Sequence, residues 1–521
     1  MNRIRGFLVI WLSLITITLH SQNQIEYRSD FGKIYPENPN DIVLVDNVVF
    51  THKDMTMYCD SAIYNQKENY FDAFNNIKMY QGDSVSLFGD VLHYDGNTKI
   101  GELDGRQVVM RDNDVTMHTD YLIVDRNLNT VSYYSSATIF NSKDTLRSKE
   151  GVYFIDDEVF RFYHSVRLNS KDGKLIADSL FYNTKTEESE FYGNSAVLVV
   201  YDDTTRTDSS FVISPYGKYN SKTEEIYSDA RPEIYTKNTF ITADTLYYDK
   251  KRKNGYAYNN IYVADTVEKI WLNCNAVRLN TEDTLSIAFI TDSLLVRQTE
   301  KEDTLYFHAD TLRIVMDTSF EVKELFAYAH CKFYRNDMQG ACEYAYYNRS
   351  DSSLLMLKRP VLWAEESQMT ADTILLITDE KNVKELYMRP NTFIVQNSDT
   401  NTNDFFNQIS GKNLTGYFER NKIYYAEIDG NTRSVYYIWD ENKKQKTKKL
   451  TGVNIGLSKA MHLYFKGGEL KKMVAVKDPE FYMDALKNIS DEERQLRGFI
   501  YLESDRPKQP VDIYINRFVG I

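Results

Sequence analysis

One phrase returns along this chain about every thirty residues: a small residue, an acid, a Ser, Thr or apolar residue, and then alternating apolar positions. It reads Cys59-Asp60-Ser61-Ala62-Ile63-Tyr64, Gly89-Asp90-Val91-Leu92-His93-Tyr94, Thr119-Asp120-Tyr121-Leu122, Ala177-Asp178-Ser179-Leu180-Phe181-Tyr182, Ala243-Asp244-Thr245-Leu246-Tyr247-Tyr248, Ala309-Asp310-Thr311-Leu312 and Ala371-Asp372-Thr373-Ile374. Weaker copies at Lys149-Glu150-Gly151, Ser214-Pro215-Tyr216, Cys274-Asn275-Ala276, Ala341-Cys342-Glu343 and Gly411-Lys412-Asn413 fill the gaps, so about twelve units run from near Cys59 to near Asn421. A period of roughly 20 to 50 residues means stacked supersecondary units, none of which buries its apolar face without neighbours.

Within a unit the period is two. Asp244, Leu246 and Tyr248 share one face of an extended chain, and Ala243, Thr245 and Tyr247 share the other. A second strand per unit is visible in Tyr70 to Tyr80, Thr130 to Phe140, Glu190 to Val200 and Gly255 to Val263, all rich in the aromatic and β-branched residues that suit a half-buried pleated surface. Asp95-Gly96, Asp104-Gly105, Asp172-Gly173 and Asp429-Gly430 read as turns between strands. Short turns join antiparallel neighbours, so the expected fold is all-β: an elongated antiparallel β-solenoid of two-strand repeats, with few helices. The recurring acid is expected to be structural, accepting hydrogen bonds from backbone N–H groups or neighbouring Ser/Thr hydroxyls at each bend, because a ladder of bare buried carboxylates would repel itself.

The amino terminus carries Arg3 and Arg5, an apolar run from Gly6 to Leu19, and then polar residues, the pattern of a secretory signal peptide cleaved after Ser21. The run is short for a membrane helix, which needs about 20 apolar residues, so no transmembrane span is expected after cleavage. The net charge of −13 speaks against nucleic acid, which is bound through Lys and Arg. Only four Cys occur in 521 residues. Cys331 and Cys342 flank the turn candidate Asn336-Asp337 symmetrically, so a two-residue hairpin would place them opposite each other, about 4.5 to 5.5 Å apart at Cα and within reach of a disulfide. A reduced pair of small hydrophobes is the equal alternative. No catalytic motif, metal-ligand spacing or phosphate-binding glycine loop is present, so neither an enzyme nor a cofactor is expected. The basic run Lys443 to Lys449 reads as a solvated loop, with lipid phosphate as the sharper alternative, and Asp202 to Asp208 as a loop insertion.

Past residue 470 the pattern changes. Asp478-Pro479-Glu480 reads as a helix start, Ser490 to Glu493 as a capping box stopped by Gly498, and Val511 to Ile515 as a final strand. Leu486, Ile489 and Leu496 would either cap the sheet or present a docking face. The expected organisation is a signal peptide (1–21), a repeat array (22–470) and a carboxy-terminal segment (471–521) with two short helices.

The ordered succession Asp60-Ser61-Ala62-Ile63-Tyr64-Asn65, Phe74-Asn75-Asn76-Ile77, Leu87-Phe88-Gly89-Asp90 and Ala177-Asp178-Ser179-Leu180-Phe181-Tyr182 resembles the OstA/LptA-like family, periplasmic lipopolysaccharide-transport proteins; the likeness is clearest from Asn47 to Tyr201 and continues, diluted, to Gly430. The resemblance implies a folded-over sheet, a β-jellyroll or β-taco, whose apolar trough shelters acyl chains. It further implies end-to-end docking with transport components of the same fold, in the periplasm or at the outer membrane. The residues that would line such a trough are Leu92, Tyr94, Leu122, Val124, Leu180, Tyr182, Leu246, Tyr248, Leu312 and Ile314. The competing expectation is a structural or adhesive surface solenoid in which these side chains simply pack on one another.

Overall fold

A computed structural model describes residues 25–514, apart from 83–84, 143, 172, 202–208, 283–284, 299–303, 318–319, 380–381, 400–403, 443–446 and 468. The signal-peptide segment, Asp172 of the Asp172-Gly173 turn, the Asp202 to Asp208 insertion and the first four residues of the basic run therefore lie outside the described residues. The fold is nearly all β, as the repeat implied. Strands pair in chain order and antiparallel: Asn38–His52 with Met55–Asn65, then Tyr70–Gln81, Val85–Asp95, Ile100–Asp112 and Val115–Asp125. At one end of these hairpins the turn is closed by a side chain. Asp95 Oδ1 accepts from the amides of Asn97 and Thr98, Asp125 does the same for Asn127 and Leu128, and Asn183 for Lys185 and Thr186.

The strands are not straight. Near the middle of each, the pairing register slips, between Val45 and Val48, Tyr58 and Ser61, Phe74 and Ile77, and Phe88 and Val91. Doublets with left-handed backbone sit at these slips: Asp46 and Asn47 (φ 64° and 50°), Asn75 and Asn76 (64° and 50°), Asn259 and Asn260 (58° and 49°). Asn and Asp tolerate this region better than other side-chain-bearing residues. Each long strand thus bends into two half-strands, and the stacked halves form two walls meeting at a corner. This corrects two expectations. Asp104-Gly105 and Asp429-Gly430 are not hairpin turns but corners inside Ile100–Asp112 and Lys422–Asn442, where the register shifts between Asp104 and Val108 and between Asp429 and Thr432.

The chain divides into two units, residues 1–193 and 194–521. In the first, the partner of Val115–Asp125 is split into Thr130–Tyr133 and Ala137–Phe140, each pairing with its own half. In the second, long bent strands run in order from Asn254–Asp265 to Met338–Asn348, followed by shorter half-strands such as Ser353–Leu357 and Val361–Ala364.

The carboxy-terminal expectations are corrected more heavily. The helix expected at Asp478-Pro479-Glu480 is absent: Asp478 pairs with Lys459 at 2.6 Å instead of capping, and Glu480–Asp484 is a strand against Val453–Leu457. The Ser490 capping box does form, with Glu493 accepting from the Ser490 amide (2.9 Å) and hydroxyl (2.8 Å), yet it closes only a turn before Gly498. The expected strand at Val511 to Ile515 is a 3-10 helix over Pro510–Tyr514, because the Asp512 carboxylate gathers the amides of Lys508 and Gln509; Ile515 lies outside the described residues. Residues 486–514 instead form a strap over the outer face of one wall. Gln408 donates to the Arg494 carbonyl (2.8 Å) and accepts from the Leu496 amide (2.9 Å); Gln368 treats the Ile500 carbonyl (2.8 Å) and Leu502 amide (2.6 Å) in the same way. Leu486, Ile489 and Leu496 pack there against Phe393, Val395, Val435, Tyr437 and Val453, which settles them as a cover for the face of a wall.

Candidate functional site

Period-two alternation turns one apolar row of each wall inward. In the first unit one row runs Leu44, Ala62, Ala73, Leu92, Leu103, Leu122 by direct cross-strand pairing, and the other runs Phe50, Met57, Met79, Leu87, Met110, Met117. All twelve are essentially without solvent contact. Burial of such side chains contributes roughly 1.5–3 kcal/mol each for the larger ones, so these rows are a core in their own right.

The side of the first unit opposite the corner is also closed. Phe50 of one wall stacks on Phe71 of the other, with centroids 3.9 Å apart. Beyond that stack the inward positions turn polar at the strand ends, at His52, Gln81 and Asp112, all buried. Each bonds across the gap: His52 Nδ1 with the Tyr94 hydroxyl (2.8 Å), Gln81 Nε2 with Asn129 Oδ1 (2.6 Å), and the Tyr153 hydroxyl with Asp112 Oδ2 (2.6 Å). Arg126 adds bonds to the His52 carbonyl (3.0 Å) and the Tyr94 hydroxyl (3.3 Å) and an ion pair with Asp54. Burial, and then the Arg126 charge, hold the His52 imidazole below its ordinary pKa. Burial raises the Tyr94 phenol. This clasp was not singled out in the sequence. The available signal was a polar residue two positions beyond an inward apolar one, at the end of a strand.

The second unit differs where its long strands stack. Leu272, Leu295 and Phe307 are inward neighbours on one wall, and Ile314 and Leu325 on the other. Each of these five is only partly buried. In the half-strands that follow, the inward residues Leu362, Ile374 and Leu386 are sealed again. The ten trough candidates divide accordingly. Leu92, Tyr94, Leu122, Val124, Leu180 and Leu312 are fully buried, and Leu246 is 7% exposed. Tyr182, Tyr248 and Ile314 are half-buried; burial pushes the Tyr182 phenol up to about 12.

Cys331 and Cys342 stand directly opposite each other across the Asn336-Asp337 turn, in the register expected of a two-residue hairpin. Both are buried free thiols, and the hydrogen bond between them, with burial, raises the Cys331 pKa. The recurring acids lie at the corners, where they tie adjacent strands. Asn76 Nδ2 donates to Asp60 (2.7 Å), Asn260 to Asp244 (2.7 Å) and Asn391 to Asp372 (2.9 Å); two acids outside the recurring phrase, Asp292 and Asp429, accept in the same way from Asn275 (2.6 Å) and Asn413 (2.9 Å). The acceptor role was legible; the asparagine donors were not. No helix among the described residues is long and apolar enough to cross a membrane.

Comparison with known proteins adds one family and two structures. Residues 22–178 match the model of a family described as OstA-like protein. LptH, the LptA-homologous periplasmic component of the lipopolysaccharide transport device of Pseudomonas aeruginosa, is similar at 12% identity, with 22% of this chain and 82% of that one covered and a TM-score of 0.21. The extracellular domain of a hybrid two component system protein from B. thetaiotaomicron is similar at 6% identity, with 88% and 98% covered and a TM-score of 0.10. No curated protein matches the chain.

Proposed function

We propose, taking the OstA-like character of residues 22–178 as the premise, that this protein is a periplasmic lipid carrier that shelters acyl chains of the lipopolysaccharide class between its walls. The observation that supports the reading is the partly accessible inward row of the second unit, Leu272, Leu295, Phe307, Ile314 and Leu325, where apolar side chains that face the interior still meet solvent. An acyl chain laid along them gains about 0.8 kcal/mol per buried CH₂. The reading is of binding and handover without chemistry, and its partners are transport components of like fold meeting it end to end.

The test is displacement of a fluorescent fatty-acid analogue from the mature chain by lipopolysaccharide. Ile314→Asp, at an inward position open enough to tolerate a charge, is expected to weaken the probe about tenfold, whereas Thr245→Asp, facing away from the interior, leaves it unchanged. A second reading, a packed structural solenoid whose partners bind outside, is favoured by the sealed rows and clasp of the first unit. Equal probe binding by the two variants, or none by the parent chain, would select that reading and discard the carrier.

A further inference from the structure

The outer face of the first unit carries a cleft whose charge is opposite to that of the chain. It has a volume of about 590 Å³ and is lined by Arg106, Arg147, Lys149 and Arg167 against one carboxylate, Asp120. An adjoining cleft of about 310 Å³ shares Arg147 and Arg167 and adds Lys174. Four cations against one acid in the larger cleft is a local excess in a protein whose net charge is −13.

The backbone register explains how the cations are gathered. Arg147 and Arg167 are directly opposed on the neighbouring strands Thr145–Ser148 and Val159–Asn169. Like charges facing each other across a ladder destabilise a sheet, so this arrangement carries a cost. At seven other positions such charges are relieved: Arg126 pairs with Asp54, Arg231 with Asp244, Arg335 with Asp337 and Arg359 with Glu343, while Arg111, Arg161 and Arg313 lie over aromatic rings. Among the described residues, no ion pair or ring contact engages the guanidinium groups of Arg106, Arg147 and Arg167, although the Arg106 backbone amide donates to Asp90 (3.0 Å). Three unrelieved guanidinium groups on one cleft, two of them forced together, are an arrangement that an anion would neutralise.

We propose that this cleft binds the phosphate group of a polyol ester. Guanidinium forks match phosphate oxygens two at a time, and Arg147 and Arg167 supply two forks side by side. The cavity is much larger than a bare phosphate, and the hydroxyls of Thr138, Ser135 and Ser165 at its margin offer bonds to the alcohol groups of a sugar or glycerol. His118, held by Gln107 at 2.8 Å, completes that margin. The site is independent of what the interior carries. Its ligand can be presented by a soluble sugar phosphate or by a lipid headgroup, and the measurement separates the two.

Two titrations of the full mature chain decide it: a hexose phosphate followed by ³¹P NMR, and co-sedimentation with phosphatidylcholine vesicles with and without phosphatidylglycerol. At least one of these ligands is expected to bind, and Arg147→Ala/Arg167→Ala is expected to weaken it about tenfold or more. Because that double substitution removes a repulsion, its melting temperature should equal or exceed that of the parent, which distinguishes a lost site from a lost fold. A control pair in the other unit, Arg278→Ala/Arg433→Ala, should change binding less than about twofold. Hexose phosphate alone would assign a soluble ligand, and anionic vesicles alone a headgroup. Failure of both, or undiminished binding by the double variant, overturns the proposal.

Discussion

At several corners an asparagine does two things: it accepts a left-handed backbone and lends its amide to the acid of the neighbouring strand. Asn76, with φ 50° and a 2.7 Å bond to Asp60, is the clearest case. Asn76→Gly keeps the backbone and loses one exposed bond, so it should cost no more than about 1 kcal/mol. Asn76→Val should cost about 1–2 kcal/mol more, from the left-handed conformation; urea unfolding of the two variants checks the order. His52 gives a pH prediction. Its folded pKa lies below the ordinary 6.5, so the unfolded chain binds the proton more readily and stability is lost as pH falls below that value. The urea midpoint of the parent should therefore decline from about pH 6.5 downward, and that part of the decline should vanish in His52→Gln. The recurring Asp was readable in the sequence because its spacing repeats. Its donors were not, since the Asn residues sit on the other strand of the unit and only the pairing register brings them opposite.

Strands and hairpins were the most legible level, because alternation and turn residues act over a few positions. Even the opposition of Cys331 and Cys342 followed from the symmetry of one two-residue turn. What misled was a dipeptide with two uses. Asp-Gly at 95–96 closes a hairpin, while Asp-Gly at 104–105 bends a strand in mid-course, and only the neighbouring strand decides which. The strap was illegible for a related reason. Its segments carry local helix and strand signals, yet their backbone groups are claimed by Gln368 and Gln408, which lie 132 and 86 residues earlier in chain. Gln368→Ala and Gln408→Ala each leave two strap backbone groups without their partner, at a cost of about 1–3 kcal/mol. Hydrogen exchange should then accelerate at Leu502 and Leu496 respectively, while the strand Ile100–Asp112 remains unchanged; equal acceleration in both places would mean that the strap is not held by these amides.

Along the chain the same repeat yields two kinds of interior, closed from Asn38–His52 to Val115–Asp125 and accessible along part of the second unit. The sequence contains little to announce this, since both stretches alternate with the same period and differ only in which residues end the strands. In stacked-repeat proteins stability is close to a sum over units and their interfaces, so protection should vary along the chain. Amides in Met55–Asn65 to Val115–Asp125 are expected to exchange more slowly than those in Ile270–Glu282 to Thr304–Met316, as read by mass spectrometry at neutral pH. Uniform protection would contradict the difference in burial.

Arg506 reaches Gln339 over a separation of 167 residues, and Leu502 packs on Ala341, Val361 and Trp363. Those side chains therefore lose their contact with water only once this segment has docked. Until the strap docks, the strand stack shows a greasy patch, the kind of surface that chaperones hold and proteases attack. A product stopped short of residue 486 would keep it permanently.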